Sequence, residues 1–138
     1  MIVTRIHCHA LDLAWPVLQP LLAPAIGRSP DRPDVPTSVC EGTAELWAIA
    51  ESATPIAAVV TRITLLPERR CLVWLVGGAR LDDWADSFVA RIEAFARAWG
   101  CVAIWGVGRP GWSRLAHRLG AARIDDIDGQ YAWQRRLA

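Results

Sequence analysis

The stretch from Cys71 to Val107 restricts what this chain can become more than any other. It opens on Cys71-Leu72-Val73-Trp74-Leu75-Val76, a short apolar run with no polar alternation, as a strand buried on both faces reads. Gly77-Gly78 ends it. From Asp82 to Trp99 the apolar residues take helical spacing, with Trp84, Ala85, Phe88, Val89, Ile92, Phe95, Ala96 and Trp99 in one stripe. Asp82, Asp83 and Asp86 stand in its first turns and Arg91 and Arg97 towards its end, as the helix dipole favours. Gly100 is placed for a left-handed cap. A second buried run, Cys101-Val102-Ala103-Ile104-Trp105, follows directly. Strand, helix and strand with joints this short make a βαβ unit, which requires parallel strands and a right-handed crossover.

The rest of the chain builds around that unit. Its 138 residues suit a single domain with a substantial core. Ile2 to Cys8 alternates as a half-buried strand, and Leu11 to Ile26 is apolar enough for a helix, with Asp12 as its N-cap. Pro16 suits a first turn, whereas Pro20 and Pro24 are expected to kink or segment the helix. Arg28 to Pro36 is a loop dense in proline and charge, a length of loop that often lines a substrate site. A short helix is expected within Thr37 to Glu45. Glu45–Glu51 and Ile56–Leu66 read as two further strands, and Pro67 to Arg70 turns the chain into the central one. After Trp105 come a short amphipathic helix over Trp112 to Leu119 and a C-terminal hairpin around Asp128-Gly129.

Charge and cysteine usage narrow the function classes. The net charge is +1, which gives no electrostatic reason to expect nucleic acid or an anionic membrane surface. All 15 basic residues are Arg, so no Lys is available for a Schiff base or a catalytic amine. Cys8, Cys40, Cys71 and Cys101 lie far apart with no C-x-x-C pair, which fits reduced thiols in a cytoplasmic protein. Prolines interrupt Leu11 to Ile26, so it is not expected to serve as a signal peptide, and no stretch is expected to reach membrane-spanning length. His7 and His9 share one strand face, but a metal needs further ligands and none is spaced for it; no metal site is expected. Trp47, Trp74, Trp105 and Trp133 fall about one per late strand and are expected to fill the core, their neighbours being aliphatic.

The order β, α, α, three antiparallel β, long α, β, short α and a hairpin resembles the GNAT fold of the acetyl-CoA-dependent N-acetyltransferases. The resemblance rests on Cys71 to Gly120, including the short helix that ends Arg118-Leu119-Gly120-Ala121. It implies a mixed α/β sheet in which antiparallel strands precede a βαβ unit with two splayed parallel strands. It also implies acetyl-CoA lying between those strands, with pyrophosphate on the backbone N–H groups at the start of the long helix. The matching segment is Leu75, Val76, Gly77, Gly78, Ala79 and Arg80, with Arg80 to pair a phosphate. This turn is shorter than the family's Q/R-x-x-G-x-G/A, and Asp82 and Asp83 oppose an anion there. The family's acid, a Tyr four residues before the terminal Gly of the short helix, falls here on Ala116. His117 beside it and Glu51 at a strand end are the available acid and base. The Gly108-Arg-Pro-Gly-Trp112 junction is similar to small GNAT-like proteins of phages.

Two functions follow. One is transfer of an acetyl group from acetyl-CoA to an amine of a small molecule or protein, with a backbone N–H near Leu75 to Gly77 stabilising the oxyanion. The other is a non-catalytic phage-type protein that binds virion proteins or its own copies through apolar surface.

Overall fold

The computed structural model describes residues 1–108 and 112–138. Its strands are β1 (Ile2–Ile6), β2 (Glu45–Glu51), β3 (Thr54–Thr64), β4 (Arg70–Gly78), β5 (Ala103–Gly108), β6 (Ala122–Ile127) and β7 (Gln130–Arg136). They form one sheet in the order β1-β2-β3-β4-β5-β7-β6. All neighbours are antiparallel except β4 and β5, the parallel pair that the βαβ pattern requires. The helices are α1 (Leu11–Arg28), α2 (Val35–Cys40), α3 (Leu81–Ala98) and α4 (Ser113–Arg118).

Two cores sandwich the sheet. On one face α3 and α4 bury Trp84, Phe88, Ile92 and Leu115 against Trp47, Val59, Val73, Ile104 and Trp133. On the other, α1 and α2 bury Leu18, Leu22 and Val35 against Leu46, Val60 and Leu75. Helix α3 follows its apolar stripe except at Trp99, which is 52% exposed because the helix has already ended. The end is a Schellman cap: Cys101 N–H donates to Ala96 C=O at 2.9 Å and Gly100 N–H to Arg97 C=O at 3.1 Å, with Gly100 at φ 72°.

Helix α1 corrects two expectations. Asp12 does not cap it; Ala10, after a single 3₁₀ turn, holds that position. Its prolines at 16, 20 and 24 do not segment it. They are spaced four apart, lie on one exposed face, and leave the unpaired carbonyls to water rather than to the core. A third correction concerns length: Cys8–Arg28 is long and apolar enough to cross a membrane. Leu11, Leu18, Leu22 and Ala25 nevertheless lie against the sheet.

The cysteines also depart from expectation. Cys8 and Cys40 are joined by a disulfide that ties the turn before α1 to α2, and only Cys71 and Cys101 are free and buried. The reduced-thiol argument for the cytoplasm therefore loses two of its four cysteines. The tryptophans divide as well: Trp47 and Trp133 are fully buried, whereas Trp74 and Trp105 are half-buried. Their neighbours include cations, with Arg62 over Trp74 at 4.6 Å and Arg70 over Trp105 at 4.1 Å.

A β-bulge decides how the two cores are shared along β4. Thr61 pairs with Val73 and Val60 with Leu75, which leaves Trp74 as the extra residue. Cys71 and Val73 face α3, but beyond the bulge Leu75 faces α1. Gly77 then lets α1 approach so closely that a Cβ there would lie 1.9 Å from the Leu21 carbonyl oxygen.

Two expected outcomes follow from this packing. Gly77→Ala forces α1 away from β4 and lowers stability by about 3 kcal/mol, the upper range for overpacking, measurable by denaturant unfolding. The second concerns Glu45, which is 5% exposed and accepts a bond from Thr61 Oγ1 at 2.8 Å, itself the acceptor of Trp47 Nε1–H at 2.9 Å. Burial raises the Glu45 pKa, against the lowering by Thr61, Arg5 and Arg62. Its contribution is therefore fully present below the unfolded carboxyl pKa and lost as pH rises through the folded one. Melting curves of wild type and Glu45→Gln should diverge in favour of the variant as pH rises from about 4 to about 7.

Candidate functional site between two parting strands

Strands β4 and β5 are paired only from Arg70↔Ala103 to Val73↔Gly106. Both continue past that point, β4 to Gly78 and β5 to Gly108, with no pairing between them. The N–H and C=O groups that β4 turns away from β3 beyond Val73 thus have no strand opposite them, and a buried backbone group left so is costly unless something else bonds it.

Three local features maintain the parting. The Trp74 bulge bends β4 at the residue where pairing stops. On the other strand Gly106 pairs across to Trp133, whose indole edge occupies the space of a Gly106 side chain; a Cβ there would lie 2.3 Å from the ring. Trp112 covers Gly108 in the same way, at 2.9 Å, and the two indoles sit 6.5 Å apart. Among the described residues the buried Trp133 Nε1–H has no partner.

A cleft of about 560 Å³ opens from this gap onto the α1 face of the sheet. Its walls are Leu72, Trp74, Leu75 and Val76 of β4 and Trp105 and Val107 of β5. Arg28 to Asp31, the start of the proline-rich loop, forms one rim, and Asp128 and Gln130 of the hairpin form another. Arg62, stacked on Trp74, adds a cation to the wall.

The residues singled out in the sequence are distributed around this cleft rather than gathered in it. Leu75 and Val76 line it. Gly77 is packed beneath α1, and Gly78, at φ 113°, ends β4 against Ile56 and Ala57. Ala79 and Arg80 form a two-residue link to α3. Ala79 donates its N–H to Ile56 C=O at 3.1 Å. Arg80 takes a left-handed backbone (φ 62°) and gives its guanidinium to Glu51 and to Asp83, the latter at 2.8 Å. Its hydrogen bond and charge hold the Glu51 carboxyl below the usual range, which weakens Glu51 as a base. His117 is exposed and lines a separate cavity with Asp82, Arg114, Arg118 and Tyr131 beyond α4. The Arg109-Pro-Gly segment of the Gly108–Trp112 junction lies outside the described residues. Among the described residues no group of His, Cys, Asp and Glu is arranged to hold a metal.

No family model and no curated protein sequence matches the chain. Solved structures do. GCN5 of Tetrahymena superposes with a TM-score of 0.74 at 10% identity, over 100% of this chain and 97% of that one. An agmatine N-acetyltransferase gives 0.71 at 12% identity, over 99% of each chain. The PaiA N-acetyltransferase of Thermoplasma acidophilum, solved with coenzyme A, gives 0.69 at 9% identity, over 99% of this chain and 100% of that one. This chain has the GNAT acetyltransferase fold.

An acyl-CoA, the donor that the GNAT fold implies, makes two demands on a site. The parted strands meet the first, because a slot lined by Leu75, Val76 and Val107 with free backbone groups suits an amide-bearing pantetheine arm. At the second, a phosphate cradle, the start of α3 carries no side-chain cap, while Ala79 N–H is committed, Arg80 is held by two carboxylates, and Asp82 and Asp83 stand in the first helical turn. Sequence reasoning missed Trp74, Trp105, Trp112 and Asp128 as cleft residues. The pairing limit that exposes them belongs to two strands whose partners, such as Val73 and Gly106, lie far apart in sequence, and to neither alone.

A binding prediction follows from the lining. With Trp74, Trp105 and Trp112 on the cleft, occupancy should shift the intrinsic tryptophan emission, and Trp105→Phe should diminish that shift by about a third, one indole of three.

Proposed function

We propose that this chain is an N-acyltransferase that takes a pantetheine thioester such as acetyl-CoA and passes its acyl group to an amine. The single observation that carries this reading is the end of β4–β5 pairing after Val73 and Gly106. A bound thioester supplies an activated carbonyl. The protein orients that carbonyl against β4, where a backbone N–H between Leu75 and Gly77 donates to the oxygen as negative charge develops. The amine nitrogen attacks the carbonyl carbon, the C–N bond forms as the C–S bond breaks, and the nitrogen's proton ends on the departing sulfur. The acceptor enters over the α1 face, between the Arg28–Asp31 rim and Asp128.

The protein does not place Glu51 or His117 on the cleft, so water or a rim carboxylate carries the proton. Orientation alone supplies a large share of the rate in such a reaction. A second reading keeps the fold without the chemistry, as a phage-type binding protein. It draws on Ala116 in place of a Tyr and on the occupied turn before α3.

Titration with acetyl-CoA decides between them. The expected result is a saturable rise in melting temperature, about 2.7 kcal/mol of stabilisation at a hundredfold excess over Kd. Val107→Trp, which fills the slot, should abolish that rise without lowering the melting temperature of the free protein. No response at millimolar acetyl-CoA would favour the binding protein. With an amine acceptor, Glu51→Gln and His117→Gln should keep kcat within about twofold, and the rate should follow the free-base fraction of the acceptor as pH rises.

A further inference from the structure

We infer that the protein carries a second binding site, at the opposite end of the sheet from the gap, for a small aromatic carboxylate with a hydroxyl at its far end. The site does not depend on the reading of the gap. It is a cavity of about 370 Å³ beside the C-terminal end of α3, over the start of β2 and the start of β4. Arg5 of β1, Glu45 of β2, Arg69 of the turn before β4, Phe95 of α3 and the exposed Leu65 and Trp99 converge on it. Walls drawn from separate stretches of chain, with rings and aliphatic groups around a few polar ones, are the usual make-up of a small-molecule site.

The floor is Glu45, a buried carboxylate that no step of the transfer uses. Thr61 Oγ1–H donates to its Oε1 at 2.8 Å. Its Oε2 has no hydrogen-bond partner among the described residues and is not sealed off, so it is left to the cavity. An unpartnered oxygen on a group only 5% exposed calls for a polar partner. A hydroxyl supplies one, because it donates to a carboxylate and accepts from a carboxylic acid, and so fits whichever form burial favours. An ammonium would instead bring a like charge towards Arg5 and Arg62, which already act on Glu45.

The mouth selects the other end of the ligand. Arg5, Arg62 and Arg69 border the cavity, and none of them has an ion-pair partner among the described residues. Arg5 lies over the Phe95 ring at 5.1 Å and Arg62 over Trp74 at 4.6 Å, while Arg69 lies along the Gly100 cap. The adjacent Glu68 is held by Arg136 at 2.6 Å. Three guanidiniums therefore face Glu45, and even with Glu41, which precedes the lining residue Gly42, the balance stays positive. A carboxylate answers that charge with the strongest hydrogen bonds a guanidinium makes. Between mouth and floor, Trp99 and Leu65 are 52% and 61% exposed, and the Trp99 ring is tilted against Phe95 at 5.9 Å. A flat ring laid on them buries apolar surface that the free protein leaves in water.

The test is calorimetric titration of the intact protein with 4-hydroxyphenylacetate, phenylacetate and tyramine. 4-Hydroxyphenylacetate should bind saturably. Phenylacetate, which lacks the hydroxyl, should bind about tenfold more weakly, the worth of one hydrogen bond to a charged group. Tyramine, with an ammonium in place of the carboxylate, should not displace 4-hydroxyphenylacetate at millimolar concentration. Trp99→Ala and Arg69→Gln, both at exposed positions and checked by melting temperature, should each weaken 4-hydroxyphenylacetate by about fivefold or more. Val107→Trp, in the gap, should leave its affinity unchanged. Equal binding of phenylacetate, displacement by tyramine, loss of binding in Val107→Trp, unaltered binding in Trp99→Ala, or no binding of 4-hydroxyphenylacetate at millimolar concentration would each overturn the inference.

Discussion

Everything in this structure that resembles a site depends on two parallel strands losing each other after four residue pairs. The cause lies on both strands. On β4 an extra residue, Trp74, bends the chain and turns Leu75 towards α1. On β5 the glycines at 106 and 108 admit the indoles of Trp133 and Trp112 where side chains would stand. Burying aromatics of this size contributes on the order of 3–5 kcal/mol each. The tryptophans thus stabilise the core and fix the strands' course in one arrangement.

The electrostatics follow from the same geometry. Strand β4 runs straight into α3 through two residues. Aspartates at positions 82, 83 and 86 favour the helix dipole and are matched by arginines on α4 and on the turn. That ion-pair lattice ties α3 to α4 and β2 to the turn. The cleft on the α1 face is separate from this lattice and carries its own mixed rim of Arg28, Asp31, Arg62 and Asp128.

Much of the architecture was legible because each element announces itself locally. The α3 stripe, the Gly100 stop and the Asp128-Gly129 turn require no partner to be read. What remained hidden was relational. A continuous apolar run such as Cys71 to Val76 carries no alternation, so the bulge that reverses Leu75 leaves no trace in it. Spacing cannot reveal that Arg80 reaches Glu51, 29 residues away, or that Cys8 meets Cys40. The prolines of α1 misled because each was weighed singly; their spacing of four puts all three on the solvent face. Trp74 and Trp105 were read as core because strand position alone does not say which strand ends part.

The most direct test of the central claim is amide hydrogen exchange along β4 with and without an acyl donor. If the parted strands form the donor slot, saturating S-acetylpantetheine should slow exchange at least tenfold at one or more amides between Trp74 and Gly78, while Cys71 to Val73 stay as they are. Unchanged protection along the whole of β4 under saturating donor would contradict the account.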